Sequence, residues 1–166
     1  MVAYSNGTWS DFAVAHVGAS AALLGLVFVG LSINLRAVIR EPQLVSRAAE
    51  AVVLLGTVLA TSTAVLLPGQ SRWALGTELI VLGCRHRVGG GLQRGAREGA
   101  VKSSMPRVTV LQRRISGLGV PVLMALAGTS LVLQSGGGLY WWASAVVLAY
   151  LGALAGAWVL LVEVLR

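Results

Sequence analysis

Four apolar runs dominate this chain: Phe12 to Leu35, Ala48 to Leu67, Ile115 to Leu133 and Leu139 to Leu165. Each is long enough to cross a bilayer, and none shows the polar–apolar alternation of a barrel strand, so helices are the expected spanning element. Arg36 closes the first run, Pro68-Gly69 ends the second, Arg113-Arg114 opens the third, and Ser135 to Gly138 makes a tight turn before the last. With 56% hydrophobic and 11% charged residues and a mean hydropathy of +0.80, the composition belongs to an integral membrane protein.

A fifth run, Trp73 to Cys84, is shorter and contains Glu78. Its twelve residues rise ~18 Å, against ~30 Å of bilayer hydrocarbon. The positive-inside rule decides how it is read. If the run crosses, twelve of the thirteen basic residues share one side and only Arg72 is left on the other; without it the best division is ten to three. The expected fold is therefore an all-α polytopic bundle of five helices, at about 12–37, 47–67, 71–88, 114–134 and 139–165. It has its N-terminus outside and its C-terminus in the cytoplasm. Residues 1–166 form one transmembrane domain with a basic cytoplasmic loop at about 89–113. Trp9, Trp73, Trp141 and Trp142 then share the outer interface, with Trp158 near the inner one.

No Lys or Arg precedes the first run, so it lacks the basic start of a cleavable signal peptide and is expected to stay in the mature protein. Small residues recur at helical spacing: Ala149, Ala153 and Ala157 beside Gly152 and Gly156 in the last span, and Ala15, Gly18, Ala19 and Ala22 in the first. Such faces allow close helix approach in lipid, within a protomer or between protomers. Pro121 removes a backbone hydrogen bond inside the fourth span.

Glu78 is the main candidate for chemistry, because a carboxylate at membrane depth costs ~2.5 kcal/mol or more and needs a partner or water. His16 and Thr61 are expected at a similar depth in the outer half, giving a candidate ion- or proton-handling set of Glu78, His16 and Thr61. A purely structural role, in which Glu78 is protonated or hydrogen-bonded to a neighbouring helix, explains the same residue. Asn34, Glu50 and Glu163 form a candidate inner polar cluster, with Arg47 and Arg166 near enough to pair the two carboxylates.

The segment 85–114 holds eight basic residues against Glu98 alone. Arg85, Arg87, Arg113 and Arg114 are expected to contact anionic lipid head groups, the first two by bending toward cytoplasmic water. The segment fails the spacing of a phosphate-binding GxxxxGK[ST] loop and carries no aromatic residue to stack on bases, so nucleic acid is not an expected partner. No HExxH or GxSxG pattern occurs, and Cys84 is the sole cysteine. No catalytic, cofactor-binding or metal-ligating residue is expected, and the chain is not read as an enzyme.

The segments GASAALLGLVFVGLSINL, LPGQSRWALGTELIVLG and AWVLLVEVLR together resemble a functionally uncharacterised group of small multi-spanning membrane proteins of actinobacteria and related bacteria. The resemblance implies a multi-pass protein of the bacterial cytoplasmic membrane. Two functions are consistent with these features: a homo-oligomeric channel or transporter-type subunit with its polar site in the outer half of the membrane, or an accessory subunit docked on a larger membrane complex.

Overall fold

The computed structural model describes the backbone of residues 2–98 and 107–164, and the side chains within them except at 2, 6, 37, 42, 43, 88–98, 107–115 and 159–164. Two short 3-10 turns, Val2–Tyr4 and Asn6–Trp9, lead into helices α1 (Ser10–Ile33), α2 (Leu35–Arg40), α3 (Pro42–Leu66), α4 (Arg72–Glu98), α5 (Arg107–Leu133) and α6 (Leu139–Val164). Four helical segments are long and apolar enough to cross a membrane: Gly7–Ile33, Leu44–Leu66, Ser116–Leu133 and Leu139–Trp158. The protein is thus an all-helical, multi-pass membrane bundle. α4 matches its neighbours in length at 27 residues, but its sequence turns glycine- and arginine-rich from Arg85 onward, which keeps it outside that set.

Several boundaries differ from the sequence expectation, each for a local reason. The first helix was expected to reach residue 37 but stops at Ile33, and Leu35–Arg40 forms a separate short helix. At the break, both the backbone N–H and the side-chain amide of Asn34 donate to the Gly30 carbonyl, at 3.3 and 3.1 Å, so the side chain competes for the acceptor that helix continuation uses. α3 starts earlier than expected because Pro42 fits the first helical turn, where its missing N–H costs nothing. α4 and α5 extend into the segment read as a loop, to Glu98 and from Arg107.

One end of the bundle gathers the N-terminal turns, the α3–α4 turn and the α5–α6 turn. The Gly137 N–H donates to the Tyr4 hydroxyl at 3.3 Å, and a Cβ on Gly138 would collide with the Ala3 carbonyl. The α5–α6 turn needs left-handed backbone at Gln134, Gly136, Gly137 and Gly138. Ser130 holds it shut, accepting from Gly138 N–H at 2.7 Å and donating to the Ser135 carbonyl at 2.5 Å.

The core is built from α3, α4, α5 and α6, with Leu54, Leu55, Val58, Leu75, Leu79, Val120, Met124, Leu131, Trp142 and Val146 buried. In lipid this packing is held by close van der Waals contact more than by the hydrophobic effect. α4 runs against α5 along a glycine seam: Cβ atoms on Gly76 and Gly83 would approach the Gly128 carbonyl and the Met124 Cβ at 2.9 Å each. The α6 small-residue pattern is also used internally, since Ala149 and Ala153 are buried and Gly152 backs onto Ser116 and Leu54. α1 behaves differently. Ala15, Gly18, Ala19 and Ala22 are exposed, and nothing approaches a Cβ placed on Gly18. Trp142, expected at the membrane interface, instead lies fully buried against Trp9 and Phe12, because α6 turns that face inward beneath the N-terminal turns.

Candidate functional site

Three polar groups stand out among the described residues, one tying the α3–α4 turn to α4 and two joining different helices. The first lies at the end that carries the N-terminal turns. There a cavity of about 690 Å³ opens, lined by Tyr4, Ser10, Gln70, Ser71, Arg72 and Trp73 among others. Pro68-Gly69 reverses the chain after α3, with Gly69 at φ 70°, and this brings Gln70 over the first turns of α4. From that position the Gln70 Nε2 donates to Glu78 Oε2 at 2.6 Å. Glu78 is half-buried, six residues and ~9 Å along α4 from Arg72. The other Gln70 amide atom, Oε1, is buried without a hydrogen-bond partner.

The second group joins α1 to α6. The Tyr150 hydroxyl donates to the His16 carbonyl at 3.2 Å and lies 3.2 Å from His16 Nδ1. With the phenol proton used on the carbonyl, Nδ1–H is the matching donor to the phenol oxygen. Ser20 donates to the same carbonyl at 2.6 Å. Phe12 packs edge-on against the imidazole at a ring separation of 4.2 Å, so the group sits within an aromatic wall.

The third group joins α3 to α4. Thr57 donates to the Val53 carbonyl at 2.8 Å and lies 3.3 Å from His86 Nδ1, with both side chains buried. Because the hydroxyl proton is spent on Val53, His86 Nδ1–H is the donor here too. Thr61, fully buried one turn further along α3, donates to the Thr57 carbonyl at 2.9 Å.

The expected set of Glu78, His16 and Thr61 is therefore distributed among all three groups, each residue with a partner of its own. Asn34 is occupied at the α1–α2 break, and Glu50 is half-buried on α3. Arg85 and Arg87 are exposed on either side of buried His86. The side chains of Glu163, Arg113 and Arg114 lie outside the described residues. Sequence reasoning missed Gln70, Tyr150 and His86. Gln70 looks like an ordinary turn residue, Tyr150 like an aromatic among apolar neighbours, and His86 like one more member of a basic run. Helical spacing puts Glu50, Thr57 and Thr61 within one broad stripe of α3, but it does not show the histidine on another helix that meets Thr57.

No protein-family model matches the chain, and no curated protein or solved structure does either. The coarse content of the sequence resemblance, a polytopic membrane protein, agrees with the fold; no comparison ties the chain to the actinobacterial group.

Proposed function

We propose that this chain crosses the bacterial cytoplasmic membrane five times, with α4 as the third crossing, the N-terminus outside and the C-terminus inside. In this reading it is a homo-oligomeric channel or transporter-type subunit whose charge-handling residue is Glu78. The observation that supports it is the Gln70–Glu78 pair, of which Gln70 lines the cavity. A primary amide partners either protonation state of a carboxyl group, donating through NH₂ to the carboxylate or accepting through its carbonyl from the acid. A carboxyl group with such a partner, next to an opening, can take up and release a proton or cation without losing its hydrogen bond. Leu75, Leu79, Met124 and Leu131 fill the interior of the protomer, which favours a route between protomers over one through a single bundle. No catalytic role is proposed.

The alternative is an accessory subunit docked on a larger membrane complex. The exposed small-residue face of α1 favours it, since that face offers close approach to a foreign helix as readily as to a second copy. Reconstitution into proteoliposomes separates the two. Wild-type protein of confirmed oligomeric mass should carry proton or cation flux, and Glu78→Gln should abolish it or remove its pH dependence while the fold survives. A stable monomer, or an oligomer with no flux above empty vesicles, would leave the accessory role.

A further inference from the structure

The apolar belt of this bundle is stepped. At the end holding the N-terminal turns, all the long helices begin or end together, as the Gly137–Tyr4 bond and the shared cavity require. At the other end they do not. Gly152 packs on Ser116 and on Leu54, so the first residue of the membrane-length segment of α5 is level with the middle of α3 and of α6. Beyond that level α6 continues through ten apolar residues to Val162, ~15 Å, whereas α3 reaches Glu50 after four residues and Arg47 after seven. α4 changes character at the same level. His86 meets Thr57, which lies nine residues from Leu66 and seven from Glu50. Arg85 and Arg87 flank it, exposed, and toward the N-terminal end exposed Cys84 and then the exposed apolar Val81 follow.

Two exposed arginines thus stand near the level of Thr57, further from the inner end of the α6 apolar run than a snorkelling side chain extends. Neither has a hydrogen-bond or ion-pair partner among the described residues. A short apolar stretch beside long ones is accommodated by local bilayer thinning, and buried arginine charge promotes the same deformation. A second copy docked by this face would set arginine against arginine. Among the described acidic residues, Glu78 is about two turns away and paired to Gln70, and Glu50 is half-buried on α3 about two turns from Thr57. Among the described residues, no exposed carboxylate supplies the counter-charge.

We infer that the α4–α5 side thins the inner leaflet and draws anionic phospholipid head groups up to Arg85 and Arg87, forming a lipid-phosphate site near mid-membrane. This rests on α4 crossing, as proposed above; the site needs no transport activity. It makes the protein asymmetric in the membrane plane, with full-thickness hydrocarbon against α1 and α6 and a head-group-lined notch against α4.

Cys84 lies on the exposed face of α4 beside Arg85, so the native thiol can report on the notch. Its counterpart is Leu151→Cys in a Cys84→Ser background, since Leu151 is exposed on α6 next to Gly152 and no nearer the N-terminal end. Each position would carry a bimane fluorophore in phosphatidylcholine–phosphatidylglycerol vesicles, quenched by phospholipid bearing a nitroxide either on the head group or at the acyl-chain end. The expected result is several-fold stronger head-group quenching at position 84 than at 151, with the reverse for the chain-end quencher. Head-group quenching at 84 should fall when phosphatidylcholine alone is used, and fall again in Arg85→Gln/Arg87→Gln. Chain-end quenching at both positions overturns the inference. So does shielding of position 84 from both quenchers, which means protein covers the face, or a signal indifferent to lipid charge. If the arginine variant does not fold, the change of lipid decides. Opposite-side labelling of positions 6 and 95 tests the five-crossing reading separately, so failure of that reading is not confused with failure of this one.

Discussion

Gly76 of α4 and Gly128 of α5 face each other so closely that a Cβ on Gly76 would lie 2.9 Å from the Gly128 carbonyl oxygen. The approach is backbone to backbone, and no rotamer change relieves an added side chain. Gly76→Ala should therefore destabilise the bundle by ~1–3 kcal/mol, the range for overpacking, with Gly128→Ala at least as costly. Gly18→Ala on α1, where nothing approaches, should stay within ~0.5 kcal/mol of wild type. Thermal or denaturant unfolding in mild detergent measures all three. Equal behaviour of Gly76→Ala and Gly18→Ala would remove the seam as the α4–α5 fastening.

Tyr150 ties α6 to α1 through both the carbonyl and the ring of His16. Tyr150→Phe keeps the ring and deletes the hydroxyl, so it should cost ~0.5–1.5 kcal/mol. In a double-mutant cycle with His16→Phe, the coupling expected for a hydrogen bond between membrane helices is ~0.6 kcal/mol. Additive effects would mean that the contact carries no energy.

His86 depends on Thr57 for a buried acceptor. Thr57→Val retains the shape and leaves the imidazole N–H without that acceptor, so a loss of ~1–3 kcal/mol is expected. Thr57→Ser, which restores the oxygen, should recover most of it. A valine variant as stable as wild type would show that the pair contributes nothing to α3–α4 packing.

For topology, cysteine labelling in a Cys84-free background offers a direct check. Position 6 should react with an impermeant maleimide from outside, and position 95 only after permeabilisation. Reaction of both from one side would show that α4 does not cross.

The four long spans were legible because apolar length alone identifies a crossing, and Pro68-Gly69 and Ser135 to Gly138 mark turns by their backbone requirements. Glu78 was legible as a residue in need of a partner, from the cost of its charge. Its partner was not, because Gln70 reaches it only once the turn folds back over α4. The seam escaped notice for a related reason: Gly76 and Gly83 are one heptad apart and gain meaning only when an antiparallel helix sets Gly128 against them. The far end of α4 reads as loop because glycines and arginines are poor evidence for a membrane helix, whereas α4 stays helical to Glu98. Trp142 shows the limit of the aromatic-belt rule, which gives depth and not direction.

The seating of Ala3 and Tyr4 against Gly137 and Gly138 has a consequence for biogenesis. These residues rest on a turn made more than 130 positions later in the chain. Their docking waits until α5 has inserted and the 134–138 turn has been translated, so the cavity that Tyr4 lines is walled only at that stage of synthesis. Nascent chains arrested before α5 would hold α1, α3 and α4 with that opening unfinished. Completion of the cavity is therefore tied to the late hairpin, and the protein acquires that site after most of its long helices are already in place.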